Sequence, residues 1–309
     1  MALNLQFTPE QQRFRAEVRQ WMHAHVPKAP LKTLESEPGF AQHRQWERTL
    51  ASGNWGMITW PRKFGGRGAN LIDWLIFEEE YYRAAAPLRV NQNGIFRTEP
   101  SAERHRGLSF ILVPLRHPGV RVRGIRQIHG EPGFAEIFFE DARVPVDHRL
   151  GEEGAGWHIA MATAGFERGL MLRSPARFQM AAQRLVQLWR RCADAADPAL
   201  VGAVTQAWMD AEAYALNTYR TASRLIAGGT IGVEASLNKI FWSELDLDLH
   251  RTAMALLGAR AALLPRGDTT DSDDWLEGFI FSLAGPIYAG TNEIQRNLIA
   301  ERLLGLPRA

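Results

Sequence analysis

The sequence has little cysteine and no long apolar run, and both absences exclude classes of protein. Cys192 is the only cysteine in 309 residues, so the chain forms no internal disulfide and no cysteine-based zinc site. The longest apolar candidate, residues 278–290, contains Pro286 and is shorter than the roughly 20 residues that cross a membrane. The segment Met1 to Leu5 lacks a basic stretch before an apolar core. We therefore expect a soluble, cytoplasmic protein without a secretory signal.

The chain also lacks an excess of charge of either sign. Its 36 Lys and Arg residues nearly balance 34 Asp and Glu residues, which gives a formal net charge of +2. So small a surplus argues against nucleic acid or a membrane surface as a partner. The nine histidines are scattered without a ligand-type spacing, so we expect no metal site.

Hydrophobic periodicity divides the chain into helices, a short β region and a longer helical region. The segment Thr8 to Gln11 predicts a capped helix that ends before Pro27, and a second helix is predicted from Leu71 to Ala86. Short β-type runs follow Gly107, and helical patterns return at Gly156. We predict a mainly α fold with a small central β domain. Its parts are an N-terminal helical domain (1–94), a partial β domain (95–150) and a C-terminal four-helix bundle (151–309).

The most informative local pattern is a turn near the C-terminus, Tyr288-Ala289-Gly290-Thr291-Asn292-Glu293. It precedes apolar residues at helical spacing, namely Ile294, Leu298, Ile299 and Leu303. A glycine and a hydroxyl at a helix start leave N–H groups where a phosphate or a ribose docks. Taken alone, the residues favour the simpler interpretation of a capped helix.

Several motifs in sequence order resemble those of acyl-CoA dehydrogenases. They are Trp60-Pro61 with Phe64-Gly65-Gly66 and Glu78-Glu79, then Phe138 to Pro145, Leu150-Gly151-Glu152, Gly156-Trp157, Phe166-Glu167-Arg168 and the turn Tyr288 to Asn297. The resemblance implies FAD as cofactor, with contacts from Gly290, Thr291 and Glu293. It also implies an acyl-CoA substrate, an acceptor of the electron-transfer flavoprotein type, and assembly into a homo- or hetero-oligomer with acyl-CoA dehydrogenase chains.

The reaction of this family requires a carboxylate base. Removing an α-proton from an acyl thioester needs a carboxylate in a water-poor pocket. Some members carry it at the second position of the Tyr-x-Gly-Thr turn, which is Ala289 here; others carry it on an earlier helix, directly before an arginine. The resemblance therefore implies that Glu167 is the base and that Arg168 orients the pocket or the coenzyme A. Without the resemblance, this pair would be interpreted as a solvated surface pair.

The resemblance is interrupted near Gly94 and Ile95. There the chain passes directly to Phe96-Arg97-Thr98-Glu99-Pro100, which resembles a late hairpin of the β domain. On the order of sixty residues are missing, enough for several strands, and they would include the motifs that hold the flavin ring. Another flavin-contacting turn carries Ala255 and Ala259 in place of a glutamine and a glycine. We therefore expect the isolated chain to bind FAD weakly or not at all.

Two functions of different classes remain open at this point. The first is FAD-dependent α,β-dehydrogenation of an acyl-CoA thioester with Glu167 as base. The second is a non-catalytic or half-site partner subunit, similar to chains of the heteromeric dehydrogenases of bacterial steroid and bulky-acyl catabolism. A third interpretation is that the sequence skips residues near Gly94 that the protein contains.

Overall fold

The computed structural model describes residues 7–32, 37–87, 95–97, 104–128, 132–167, 173–192, 197–262 and 275–308. This part of the chain is mainly helical with short strands in the middle, which confirms the predicted fold class. Its helices are α1 Pro9–His25, α2 Glu37–Ser52, α3 Leu71–Arg83, α4 Gly156–Glu167, α5 Pro175–Cys192, α6 Leu200–Ile226, α7 Glu234–Leu257, α8 Trp275–Ser282 and α9 Asn292–Arg302. Its strands are β1 Ile95–Arg97, β2 Leu108–Ile111, β3 Val120–Arg126, β4 Pro132–Phe139 and β5 Arg149–Leu150. Gly94 lies outside the described residues.

The N-terminal helices begin at side chains that satisfy free backbone groups. The Thr8 hydroxyl accepts from the Gln11 backbone N–H at 3.2 Å, and the Gln11 side chain accepts from the Thr8 N–H at 2.9 Å. Asn70 and Asp73 form the same reciprocal pair at the start of α3. The predicted start of α1 is confirmed, whereas α3 ends at Arg83 rather than at Ala86, because Ala85 has a left-handed backbone with φ of 50°.

Aromatic residues fill the core between α1, α2 and α3. Trp55 is fully buried and stacks on Phe77, with ring centroids 5.7 Å apart. The Trp46 indole N–H donates to the Tyr81 hydroxyl at 2.7 Å. The loop after Trp60 folds back so tightly that a Cβ on Gly66 would lie 2.0 Å from the Trp60 carbonyl oxygen. Only glycine fits there, because a Cβ would overlap backbone atoms.

The β region consists of two small separate sheets. Strands β1, β2 and β5 form one antiparallel sheet in that order, and β3 pairs with β4 in the other. The β3–β4 register aligns Val120 with Phe139 and Val122 with Ile137, so these four side chains share one face. Val122, Ile137 and Phe139 are 41–48% exposed there. A two-stranded sheet with an uncovered apolar face is marginal in water, so this hairpin requires a covering surface.

The C-terminal half is a helical bundle with its own core. Helices α5, α6 and α7 pack around the fully buried side chains of Leu185, Tyr214, Trp242 and Leu249. Helices α8 and α9 pack against α7, and α3 packs against α5 and α6. The bundle therefore supports both the N-terminal helices and the turn that precedes α9. None of the helices in the described part of the chain is both long and apolar enough to cross a membrane.

Candidate functional site

The predicted base lies at the C-terminal end of α4. Glu167 is the last residue of this helix, and its side chain lies outside the described part of the structure, as does the whole of Arg168. The start of α4 is fixed against β2, since a Cβ on Gly156 would lie 2.5 Å from the Ser109 carbonyl carbon. The Ser109 hydroxyl also accepts from the Gly154 N–H at 3.1 Å. The β region thus anchors the helix that carries Glu167, and the roles of Glu167 and Arg168 stay predictions.

The turn before α9 reverses the chain through two consecutive left-handed residues. Ala289 has φ of 55° and Gly290 has φ of 86°. The left-handed conformation favours glycine at residue 290, and a Cβ there would also displace the Gln295 side-chain nitrogen, which would lie 2.5 Å away. Ala289 adopts a conformation that costs a non-glycine residue about 1–2 kcal/mol. Such strain persists only where surrounding contacts hold the turn.

The start of α9 already carries a cap and a negative charge. The Thr291 hydroxyl accepts from the Ile294 N–H at 3.3 Å, which uses one of the free donors that the sequence suggested for a ligand. The exposed Glu293 carboxylate accepts hydrogen bonds from its own backbone N–H and from the Thr291 side chain, and these lower the pKa of Glu293. A carboxylate at this position accepts hydrogen bonds from hydroxyl or amino groups and repels the negative charge of a phosphate. Of the two ligand groups considered above, the geometry favours ribose.

A polar cluster beneath the turn joins α9 to α7. The buried Asn292 side-chain oxygen accepts from the Lys239 ammonium at 2.7 Å and from the Ser243 hydroxyl at 3.1 Å. Its amide nitrogen donates to Glu244 at 3.4 Å. Burial lowers the pKa of Lys239, although the carboxylates of Glu293 and Glu244 act in the opposite direction. The first residue of α9 is therefore locked to the bundle by a lysine that is itself buried.

Arg173 links the chain just after the predicted base to the same turn. Its guanidinium donates to the Tyr288 hydroxyl and lies 5.2 Å from the ring centroids of Trp242 and Tyr288 and 6.0 Å from that of Phe281. The Arg173 carbonyl accepts from the Tyr214 hydroxyl at 3.0 Å. Burial raises the pKa of Tyr214, so this hydroxyl stays a neutral donor.

Sequence reasoning did not identify Arg173. The order Arg173-Ser174-Pro175 indicates a helix start, because proline is favoured in a first turn. Nothing in that pattern indicates contact with Tyr288, which is 115 residues further along the chain. The contact depends on the packing of α5 beside the turn.

A cavity of about 570 Å³ lies in the N-terminal domain, away from the turn. Arg67 lines it, but this guanidinium already donates to the carbonyls of Gly53 and Asn54 and to the Glu17 carboxylate. It also lies over the Trp55 ring, 3.4 Å from its centroid. These donors are spent within the protein, so we assign no ligand to this cavity. Within the described residues, no three His, Cys, Asp or Glu side chains come together as a metal site would require.

Comparison with known proteins identifies related sequences over nearly the whole chain. Residues 8–97 match the family model "Acyl-CoA dehydrogenase, N-terminal domain", and residues 154–304 match "Acyl-CoA dehydrogenase, C-terminal domain". The acyl-CoA dehydrogenase IpdE1 of Mycobacterium tuberculosis is 32% identical over 383 residues, covering 96% of this chain and 97% of the relative. IpdE1 of Mycolicibacterium smegmatis is 31% identical over 398 residues, covering 97% and 98%. Both alignments are longer than this chain of 309 residues, so segments of the relatives have no counterpart here.

Solved structures with the same fold cover the chain from end to end. The structure titled "Tcur3481-Tcur3483 steroid ACAD" has a TM-score of 0.80 at 19% identity and covers 99% of this chain and 100% of its own. The crystal structure of the ChsE4–ChsE5 complex from Mycobacterium tuberculosis has a TM-score of 0.73 at 23% identity, covering 99% and 100%. Together, the matched family models, the relatives and the fold show that the chain belongs to the acyl-CoA dehydrogenase family.

Proposed function

We propose that this chain takes part in FAD-dependent α,β-dehydrogenation of an acyl-CoA thioester, with Glu167 as the base. The observation that carries the proposal is the link between Arg173 and Tyr288, which joins the region after α4 to the turn before α9. Glu167 lies six residues before Arg173, and six residues span at most about 20 Å. The link supports the proposal because it keeps Glu167 within about 20 Å of Arg173, which contacts the turn that family resemblance assigns to the cofactor.

Each residue has a distinct role in this proposal. FAD, when bound, supplies the hydride acceptor that no side chain provides. Glu167 takes the α-proton, and Arg168 orients the pocket or the coenzyme A. Gly290 lets the backbone approach the cofactor, while Thr291 and Glu293 offer a hydroxyl and a carboxylate to the hydroxyl groups of its nucleotide end.

The test of this role is the variant Glu167→Gln, which keeps the shape of the side chain but accepts no proton. In the flavin-containing protein, whether the chain alone or its complex with a second chain, we expect acyl-CoA-dependent reduction of an electron-acceptor dye to fall by about 10²–10⁴-fold. The matched control is Glu153→Gln, which removes an exposed carboxylate that pairs with Arg149 at 3.4 Å and should leave turnover near normal. Turnover close to that of the unchanged protein in Glu167→Gln would exclude this residue as the base.

A second candidate is a partner or half-site subunit of a heteromeric acyl-CoA dehydrogenase. The uncovered apolar face of the β3–β4 hairpin favours it, because strands that would cover this face do not occur in the described part of the β region. The same shortage leaves no second wall for a flavin ring there. Two structures of the same fold carry titles that name pairs of chains, ChsE4–ChsE5 and Tcur3481–Tcur3483.

Flavin content separates the two candidates. We expect the purified chain to lack stoichiometric flavin absorbance, since a few polar contacts at the turn do not offset the ordering cost of so large a ligand. Co-expression with a complete acyl-CoA dehydrogenase chain should yield a yellow complex. Stoichiometric flavin on the chain alone would contradict the partner role and support a complete site within one chain.

A further inference from the structure

Three buried polar atoms in Arg173, Ser174 and Asn238 have no hydrogen-bond partner among the described residues. They are Arg173 Nε, Ser174 Oγ and Asn238 Oδ1. Ser174 is only 5% exposed. Buried polar groups in folded proteins are nearly always paired, so unpaired ones call for an absent partner. Such groups are donors and acceptors that a bound ligand or an ordered water would satisfy.

Arg173 and Asn238 share a partner, Tyr214, and Ser174 follows Arg173 directly. The Tyr214 hydroxyl donates to the Arg173 carbonyl at 3.0 Å, and the Asn238 side chain hydrogen-bonds to the same tyrosine. Ser174 stands directly before Pro175, the first residue of the 18-residue helix α5. A serine there usually accepts from a backbone N–H as a cap, but its hydroxyl makes no such bond. It is free to donate to a ligand at the positive end of the helix.

The charge of Arg173 is also unmatched within the described residues, where no carboxylate lies within ion-pair distance of it. The next arginine along α5 differs, because Arg177 pairs with the buried Asp246 carboxylate at 3.1 Å. Arg173 is instead surrounded by the rings of Trp242, Phe281 and Tyr288. A cation held among aromatic rings attracts an acceptor oxygen strongly, since little water competes.

We infer that Arg173 and Ser174 recognise a second oxygen function, a carboxylate or a ketone, on the acyl group of the thioester substrate. The inference rests on the proposed function and narrows it to acyl-CoA thioesters with a polar acyl chain. Arg173 Nε–H and the Ser174 hydroxyl donate to this oxygen. The bond from Arg173 to Tyr288 fixes the guanidinium beside the turn, so Arg173 determines specificity and transfers no proton.

The experiment compares three thioesters of equal acyl length: pentanoyl-CoA, 4-oxopentanoyl-CoA and glutaryl-CoA. Dissociation constants for the purified full-length chain are measured by calorimetry and by the fluorescence of its tryptophans. We expect at least one of the oxygen-bearing thioesters to bind about tenfold or more tighter than pentanoyl-CoA, as one charge-assisted hydrogen bond allows. If only glutaryl-CoA binds more tightly than pentanoyl-CoA, the recognised group is a carboxylate. If glutaryl-CoA and 4-oxopentanoyl-CoA both do, the site recognises any acceptor oxygen.

Variants test whether Arg173 causes this preference. The preference is measured as the dissociation constant of pentanoyl-CoA divided by that of the oxygen-bearing thioester. Arg173→Met should reduce this ratio to about one, and Ser174→Ala should reduce it by a smaller factor. The matched control Arg251→Met removes an exposed arginine of α7 that pairs with Asp248 at 3.6 Å, so it should retain the preference. A ratio within one variant does not depend on the fraction of folded protein. Arg173→Lys, which keeps the charge, should retain part of the preference for glutaryl-CoA.

Failure of the inference and failure of the proposed function give different results in this experiment. Equal binding of all three thioesters, or an unchanged preference in Arg173→Met, overturns the inference and leaves the proposed function standing. Binding of none of the three thioesters, either by the chain or by its flavin-containing complex, overturns the proposed function and the inference with it.

Discussion

At the residue scale, Glu80 carries the densest concentration of charge contacts in the N-terminal domain. Its buried carboxylate accepts from Arg15 at 3.0 Å, from Arg19 at 2.8 Å and from Arg83. Burial alone would raise the pKa of Glu80, but hydrogen bonds from Arg19 and Arg15 outweigh that effect, and the pKa is lowered. The carboxylate is thus ionised in the folded protein and joins α1 to α3.

We predict that Glu80→Gln destabilises the protein by about 1–3 kcal/mol, because it removes the buried carboxylate that Arg15, Arg19 and Arg83 share, and only Arg15 among them is largely buried. Since the folded pKa lies below the unfolded one, the stabilisation by Glu80 is complete above the unfolded pKa and is lost as pH falls through the folded pKa. The difference in free energy of unfolding between the two proteins should therefore shrink below about pH 4.5. Urea titrations at pH 7 and at pH 3.5 measure it.

The control for Glu80→Gln is Glu140→Gln. Glu140 also contacts an arginine, Arg121 at 3.2 Å, but both side chains are well exposed. An exposed pair of this kind contributes at most about 1 kcal/mol. Equal losses of stability in the two variants would show that the contacts of Glu80 stabilise the protein no more than an exposed ion pair does.

Sequence reasoning succeeds for single residues when the cause is local. The cap at Thr8 depends on atoms within three residues, so its pattern alone predicted the bonds. Glu80 and Arg173 depend on partners 61 and 115 residues away. Their roles require knowing which helices pack together, and short-range spacing does not contain that information.

At the element scale, α9 shows what periodicity predicts and what it leaves open. The spacing of Ile294, Leu298, Ile299 and Leu303 predicted a helix there, and the structure contains α9 with Thr291 as its cap. The face that α9 buries in this chain carries Asn292 and Gln295, while Ile294 and Leu303 are 52% and 49% exposed. Periodicity identifies an apolar stripe but not the surface that covers it, and here much of that stripe remains uncovered within the chain.

The sequence predicts where the β strands lie in the chain better than it predicts how they pair. Short β-type runs at residues 108–113, 120–123 and 136–139 predicted β2, β3 and β4, although β3 extends on to Arg126 and β4 begins at Pro132. The division into two sheets was not predicted, since pairing depends on contacts between distant segments such as β2 with β5.

At the scale of the whole molecule, large apolar side chains remain exposed on several helices. On α6, Met209 is 53% exposed and Leu216 is 45% exposed, and on α7 Leu237 is 46% exposed. Together with Ile294 and the β3–β4 face, they are candidates for burial against a neighbouring chain. We predict that the chain sediments as a dimer or larger species at micromolar concentration.

A charge placed in this surface should weaken the assembly. Ile294→Arg is expected to raise the dissociation constant about tenfold or more, because a buried unpaired charge is costly at an interface. Val146→Arg adds the same charge at a residue that is 78% exposed and should leave sedimentation unchanged. A stable monomer of the unaltered chain at micromolar concentration would refute the predicted oligomer.

The cluster of Lys239, Ser243 and Asn292 has a consequence for how this chain evolved. The turn before α9 is held by α7 and by Arg173, all within the C-terminal half, and none of these contacts involves a β strand. An ancestor could therefore lose strands by deletion without unfolding the turn or the bundle. A bundle that stays folded after such a deletion can be retained even where the catalytic centre is incomplete. The folded subunit is then available for a new role.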